Sequence, residues 1–193
     1  NRIRFKQSGD ISVNPITIPQ KRLLALDQNL MLFYTGIIRT AEKVAKSYVE
    51  NIQTKEKQLV RMHEMVDEAI EILMNGDLDN FGKLLNEAWQ EKRSLSKLVS
   101  NSKIDEIYSS AISAGALGGK LSGAGGGGFL LLYAPKEKRF DILETLKNYI
   151  HVPFCLESSG SQVIFYDWQK RYIEEEKAHS NKTILPFREL TKH

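Results

Sequence analysis

The sequence has one cysteine, little net charge and no long hydrophobic run. Cys155 is the only cysteine, which excludes an internal disulfide, and no His and Cys cluster at metal spacing accompanies it. We therefore expect a reducing compartment, the cytoplasm, and no zinc site. The longest useful apolar run, Phe129 to Ala134, is far below the roughly 18 residues that span a bilayer, so we expect no membrane partner. A net charge of only +3 predicts no nucleic acid partner.

The chain also lacks an initial methionine. It opens on Asn1 with neither a signal-like apolar stretch nor a cleavage pattern, so we expect it to be a fragment with residues missing upstream. What it does contain suits one globular domain, because 41% of its 193 residues are hydrophobic and can form a sizeable core.

The spacing of the apolar residues predicts both strands and helices. Alternation around Ser8-Gly9-Asp10 indicates a hairpin over residues 3–13, followed by a proline-flanked link, Pro15 to Pro19. A capping box from Ser102 to Asp105 starts one helix, and another opens at Pro135 with Phe140, Leu143, Leu146 and Ile150 inward. The further predictions are strands at 30–34, 117–121, 129–133, 152–156 and 163–166, and helices at 41–52, 59–73, 78–98, 102–112 and 135–150.

This order of elements predicts an α+β fold. We expect an antiparallel sheet covered on one face, close to a ferredoxin-like arrangement with a helical insertion. Residues 1–20 would be a connector or edge hairpin from a missing N-terminal domain, and residues 21–168 the domain itself. Apolar residues thin out in 169–193, which predicts a peripheral helix or a loose tail.

Glycine is concentrated in one place. Eight of the 13 glycines lie between Gly115 and Gly128, and four of them are consecutive. Each glycine fixed in a fold costs about 0.5–1 kcal/mol relative to alanine, so such a run needs a use that only glycine meets: positive φ or close approach to the backbone. A generous hairpin turn is the plain alternative, although a turn requires only one or two glycines.

Two nucleotide-binding fingerprints fail in this segment. Gly123-x-Gly125-x-x-Gly128 matches the dinucleotide pattern, but that pattern should open a helix, and Phe129 to Tyr133 continues as a strand. A P-loop fails because Ala114 and Leu121 replace its first glycine and its hydroxyl residue. What remains is a strand-loop-strand whose exposed amides can form an anion-binding nest.

The segment from Gly118 to Phe129 resembles the third motif of the GHMP kinases, a superfamily that includes galactokinases, homoserine kinases, mevalonate kinases and phosphomevalonate kinases. Residues 33–39, Ala88-Trp89 with Lys92, and residues 114–120 support the likeness, which covers about Asn1 to Trp168. Within the superfamily, the sequence is similar to sugar kinases that phosphorylate D-glycero-D-manno-heptose 7-phosphate at the anomeric hydroxyl.

The resemblance implies ATP and Mg²⁺ as cofactors and a kinase of two domains. The N-terminal domain would supply the phosphate loop, the Mg²⁺ ligands and any catalytic carboxylate, and no Pro-x-x-x-Gly-Leu-Gly-Ser-Ser loop occurs here. We therefore assign no catalytic residue and no metal ligand, and we expect the chain by itself to be inactive. The implied ATP-binding residues face the transferring phosphoryl group: Ser122, Gly123, Ala124, Gly125, Gly126 and Gly127.

Four further residues are candidates for binding the sugar phosphate. Thr35, Gly36 and Arg39 lie where a strand ends and a helix begins, where amides and a guanidinium can hold a phosphate; the alternative is an ordinary helix start with a surface arginine. Lys120 can neutralise phosphate charge or serve as a solubility device at a sheet edge. Lys92, one turn after Trp89, is interpreted as part of a solvated face.

Three other functions stay open at this point. Another small-molecule kinase of the superfamily, galactokinase-like or mevalonate-kinase-like, fits the same motif. A non-catalytic RNA-binding module shares the ferredoxin-like order, and Phe129 and Tyr133 would be its stacking aromatics. A free-standing regulatory subunit is the third possibility.

Overall fold

The structure is a computed structural model that describes residues 1–38, 41–49, 52–157, 160–163 and 177. The chain divides into two compact units, Asn1–Leu156 and Glu157–His193. All the elements below belong to the first unit. Most of the predicted strand at 163–166 and nearly all of the predicted tail at 169–193 lie outside the described residues.

Secondary structure within the described ranges follows the predicted order closely. The strands are β1 (Arg2–Phe5), β2 (Ile11–Asn14), β3 (Leu30–Tyr34), β4 (Gly118–Leu121), β5 (Phe129–Tyr133) and β6 (Ile150–Val152). The α-helices are α1 (Gln20–Asn29), α2 (Ala41–Val49), α3 (Glu56–Asn75), α4 (Leu78–Leu95), α5 (Ser102–Ser113) and α6 (Arg139–Thr145). Short 3₁₀ turns at Ile52–Lys55 and Lys136–Lys138 precede α3 and α6. None of the helices in these ranges is long and apolar enough to cross a membrane.

Four strands form one antiparallel sheet in the order β4-β5-β3-β6. Because β4 and β6 each pair antiparallel with an inner strand, β3 runs parallel to β4 with β5 between them, and β5 runs parallel to β6 with β3 between them. Two βαβ units split in this way are the ferredoxin-like arrangement. Helices α2 to α5 form the first crossover and α6 forms the second, so the predicted α+β fold is confirmed.

The sheet carries apolar clusters on both faces, whereas one covered face was expected. Alternation along β3 puts Met31 and Phe33 into the larger cluster and Leu30 into a smaller one on the opposite face. The smaller cluster also contains Tyr133 and Leu26, from a helix, α1, that the sequence interpretation missed. Pro19 at the N-cap and the immediate start of β3 leave α1 only ten residues, with one buried side chain.

Helix α4 lies against the edge strand β4 at van der Waals contact. A Cβ on Gly118 would come within 2.7 Å of the Asn86 backbone nitrogen, and one on Gly82 would come within 2.5 Å of the Tyr133 ring. Glycine at both positions is therefore required by close packing. This contact brings the C-terminal half of α4 beside the loop that leaves β4.

Strands β1 and β2 form a separate two-stranded sheet that confirms the predicted hairpin. Ile3 pairs with Val13 and Phe5 with Ile11, so these four side chains share one face. They are 54–75% exposed. The position of the hairpin beside α3 is marked by an ion pair between Arg2 and Asp67.

Several local predictions were wrong. The cap of α5 is Asn101 rather than Ser102, and its side chain accepts the Ile104 amide. Phe140 and Ile150 are exposed rather than inward, because α6 ends at Thr145 and buries Ile142, whereas Leu146 is buried as predicted. Strand β6 ends at Val152, before Pro153, and Cys155 beyond it is exposed rather than buried in a strand.

Candidate functional site

The glycine-rich segment forms a loop between β4 and β5, called here the glycine loop (residues 122–128). The amide of Ser122 donates to the Phe129 carbonyl at 2.9 Å and closes its base. Gly125 shows why side chains are excluded: its φ is +112°, and an added Cβ would lie 2.8 Å from the Val99 carbonyl oxygen. Both reasons for glycine that the sequence suggested therefore apply at this position.

Two neighbouring segments fasten the loop through their carbonyls. The amide of Gly126 donates to Val99 O at 2.8 Å, and the amide of Gly128 donates to Ile37 O at 2.8 Å. Val99 belongs to the α4–α5 connection and Ile37 follows β3, so the loop is held from two sides. The side-chain amide of Asn101 adds a longer bond, 3.4 Å, to the Gly126 carbonyl.

Thr35 and Gly36, two predicted substrate-binding residues, lie next to this loop. Thr35 is only 1% exposed, and both its amide and its hydroxyl donate to the Gly128 carbonyl, at 2.9 and 2.8 Å. The hydroxyl also accepts the Ile37 amide at 3.3 Å, so it is engaged on both sides. Gly36 is exposed with φ +70°. Arg39, the third predicted residue, lies outside the described residues.

Four amides of the loop are unengaged. Those of Gly123, Ala124, Gly125 and Gly127 donate to no acceptor in the described part of the chain. Successive free amides in a glycine-rich turn form a concave anion-binding nest. Of the six residues predicted to bind ATP, Ser122 and Gly126 use their amides to fasten the loop, and the other four have amides available for an anion.

Two lysines lie beside the loop, and one of them was underrated from sequence. The ammonium of Lys92, in the last turn of α4, donates to the Gly123 carbonyl. Lys92 is partly buried rather than on a solvated face, and burial first, then the charge of Lys120, lowers its pKa to about 8. A signal was present: Lys92 is three residues after Trp89, which is fully buried, so both lie on the inner side of α4.

Lys120 lies on β4, an edge strand of the sheet. It lines a largely apolar cavity of about 490 Å³ between the hairpin and helices α3 and α4. In the described ranges, no three His, Cys, Asp or Glu side chains converge as a metal site. The residues present thus fit an anion with phosphate-like oxygens, because four unengaged amides lie near two lysines.

Comparison with known proteins identifies the family of this chain. Residues 65–151 match the family described as GHMP kinases C terminal. The chain is 31% identical over 151 residues to D-glycero-alpha-D-manno-heptose 7-phosphate kinase of Campylobacter jejuni subsp. jejuni, covering 77% of this chain and 44% of that protein. It is 30% identical over 146 residues to the bifunctional fucokinase/GDP-fucose pyrophosphorylase of Arabidopsis thaliana, covering 72% and 14%.

A solved structure of mevalonate kinase from L. major superposes with a TM-score of 0.61 at 29% identity, over 76% of this chain and 44% of that one. The chain thus spans less than half the length of these relatives. The split βαβ sheet, the glycine loop between β4 and β5 and the family match lead to one conclusion: this chain contains a C-terminal domain of the GHMP kinase family.

Proposed function

We propose that this chain is the C-terminal half of an ATP-dependent sugar kinase and that the glycine loop binds phosphate oxygens during phosphoryl transfer. The observation that carries the proposal is the set of four unengaged amides beside two lysines. ATP, when bound with Mg²⁺, supplies the phosphoryl group. Catalysis of such transfers depends mainly on positioning and on stabilising charge on the equatorial oxygens.

The loop is suited to this role because it is held rigidly before any ligand arrives. Bonds to Val99 and Ile37 and the buried hydroxyl of Thr35 fix its two sides. Donors that are already oriented lose little further freedom when charge develops near them, and this preorganisation is the main source of electrostatic catalysis. The proton of the sugar hydroxyl would pass to a group outside this chain.

We propose heptose 7-phosphate, phosphorylated at the anomeric hydroxyl, as the substrate. The support is the similarity to the Campylobacter jejuni enzyme over 77% of this chain. Thr35, Gly36, Arg39 and Lys120 are the proposed sugar-phosphate residues. Lys120 places a positive charge near the glycine loop, and Gly36 is exposed at the edge of that loop. Thr35 acts indirectly, because its hydroxyl holds the Gly128 carbonyl in place.

The proposed partner is an N-terminal half that provides the main phosphate loop and the Mg²⁺ ligands. The exposed apolar face of the hairpin, with Ile3, Phe5, Ile11 and Val13, supports this proposal. An isolated two-stranded hairpin is marginally stable in water and gains stability when another layer covers its apolar face. On this basis we expect this chain by itself not to turn over ATP, and we expect the whole protein to act in the cytoplasm.

The test is ADP release by the full-length protein with ATP, Mg²⁺ and a panel of heptose 7-phosphate, L-fucose and mevalonate. We expect the heptose phosphate to give the highest kcat/KM. Gly125→Val should abolish turnover, because the added side chain meets Val99 O at 2.8 Å. Gly160→Val is the matched control, since an added Cβ there meets nothing within 4 Å. Full activity of Gly125→Val would refute the role of the loop, and preference for mevalonate or fucose would refute the substrate.

The structure argues against the RNA-binding alternative. Tyr133 was one of its two stacking aromatics, but its side chain is fully buried, and its hydroxyl accepts from Asn29 at 2.8 Å and donates to Asp79 at 3.2 Å. A buried ring has no face available for a base. Phe129 is 41% exposed, which leaves one aromatic where the hypothesis requires two.

A further inference from the structure

Two of the four free amides of the glycine loop belong to peptide groups whose carbonyl accepts a hydrogen bond from a side chain. The Gly123 carbonyl accepts from the ammonium of Lys92, and the next amide, that of Ala124, is free. The Gly126 carbonyl accepts from the side-chain amide of Asn101 at 3.4 Å, and the next amide, that of Gly127, is free. The same relation thus occurs twice, on side chains from two different elements.

Peptide geometry gives this relation a consequence. A trans peptide is planar, and its C=O and N–H point in opposite directions; the chain contains no cis peptide in the described ranges. A donor that fixes the carbonyl inward therefore fixes the following N–H outward. A cation or amide at the oxygen also polarises the peptide and strengthens its N–H as a donor.

The position of Lys92 is not explained by an ion pair. Lys92 is partly buried next to Lys120, and within the described residues no carboxylate pairs with it. Burying an unpaired cation beside another cation is unfavourable. Asn101 already caps α5 through its Oδ1, which accepts the Ile104 amide at 3.1 Å, so its Nδ2 is the group directed at the loop.

We propose that Lys92 and Asn101 are positioning residues of the glycine loop, which turn the amides of Ala124 and Gly127 outward toward the phosphate oxygens. This inference rests on the proposed phosphate-binding function of the loop. Lys92 acts from the carbonyl side of the peptide, opposite the ligand, so it orients a donor rather than contacting the phosphate itself.

The test uses the full-length protein with four variants. Lys92→Met keeps the stem and removes the donor, Lys92→Arg keeps a donor, and Lys83→Met makes the same change at an exposed site of α4 where the ammonium bonds only Asn80. Two quantities are measured: amide hydrogen exchange of peptides spanning residues 118–130 without nucleotide, and kcat and KM for ATP. Asn101→Ser preserves an N-cap acceptor and removes the Nδ2 donor.

We expect Lys92→Met and Asn101→Ser to speed exchange in residues 118–130 and to lower kcat by about 10- to 100-fold with a smaller change in KM, as for misplaced transition-state groups. Lys92→Arg should recover most of kcat, and Lys83→Met should match the unaltered protein. Unchanged exchange and kcat in Lys92→Met would overturn the inference, as would failure of Lys92→Arg to recover kcat. An unaltered protein that phosphorylates no member of the panel would instead refute the proposed function, while the exchange data still test the positioning role.

Discussion

Gly127→Ala separates the geometry of the glycine loop from general stability. Gly127 has no positive φ, so alanine brings no backbone strain there, but its Cβ would lie 2.9 Å from the Ile37 carbonyl carbon. That separation must grow to at least 3.4 Å, the onset of ordinary contact. The added Cβ meets the carbonyl carbon and oxygen of Ile37 as well as its side-chain Cγ2. Because two of these atoms are backbone, the loop itself must move, and the 2.8 Å bond from the Gly128 amide to Ile37 O opposes that movement.

Gly76→Ala provides the matched control. Gly76, between α3 and α4, also has negative φ, and its Cβ would lie 2.9 Å from the Ile72 Cα. Overpacking of this kind costs about 1–3 kcal/mol at either position. Displacement of reacting groups by about 1 Å can cost about 100-fold in rate, and only Gly127→Ala moves an amide of the loop proposed to bind phosphate.

The assay is urea unfolding together with steady-state ADP release by the full-length protein. We expect both variants to lower the unfolding midpoint similarly, with kcat falling about 100-fold in Gly127→Ala and less than about threefold in Gly76→Ala. Equal kcat losses in the two variants would show that stability, rather than loop position, limits turnover. Unaltered kcat in Gly127→Ala would refute the assignment of the loop.

Three further perturbations address the anchor, the lysine and the hairpin. Thr35→Val removes a buried donor to Gly128 O and should lower the free energy of unfolding by about 1–3 kcal/mol. Thr35→Ser keeps the hydroxyl and should cost less, so equal losses in the two variants would contradict the hydrogen-bond argument. Burial lowers the pKa of Lys92 to about 8, so the unfolded chain binds more protons than the folded chain between pH 8 and 10.5. The free energy of unfolding should therefore rise with pH in this range relative to Lys92→Met. Parallel curves of unfolding free energy against pH for the two proteins would contradict that shift. Phe5→Ser should lower the unfolding midpoint of the full-length protein more than Arg4→Ser on the opposite hairpin face, and equal midpoints would argue against coverage by the N-terminal half.

Periodicity predicted the elements whose environment is uniform along their length. The run Leu30 to Tyr34 predicts a strand with the bounds that β3 has, because the run is short, apolar throughout and bounded by Gly36. Prediction failed where tertiary contacts decide orientation. Phe140 satisfies a helical stripe as well as Ile142 does, but α6 is only seven residues long, and its single buried side chain is Ile142.

The candidate site was predictable as a location, while its contacts were not. Glycine density and strand context identified the loop from sequence. The carbonyls of Ile37 and Val99 that fasten it lie 91 and 27 residues away from the glycines whose amides they accept, and a backbone carbonyl has no sequence signature. Lys92 was interpreted as solvated because a lysine on a helix usually is, and only the packing of α4 against β4 brings its ammonium to Gly123.

The loop contacts also favour the proposed phosphate site over a generous turn. Positive φ at Gly126 and Gly128 would suit either, because turns use such conformations freely. Gly127 lacks positive φ, and glycine is needed there because the Ile37 carbonyl lies against it. A simple turn requires neither close packing of its backbone against two neighbouring carbonyls nor unengaged amides beside those contacts. Binding an anion gives that reason, since the same contacts that hold the loop direct its free donors outward.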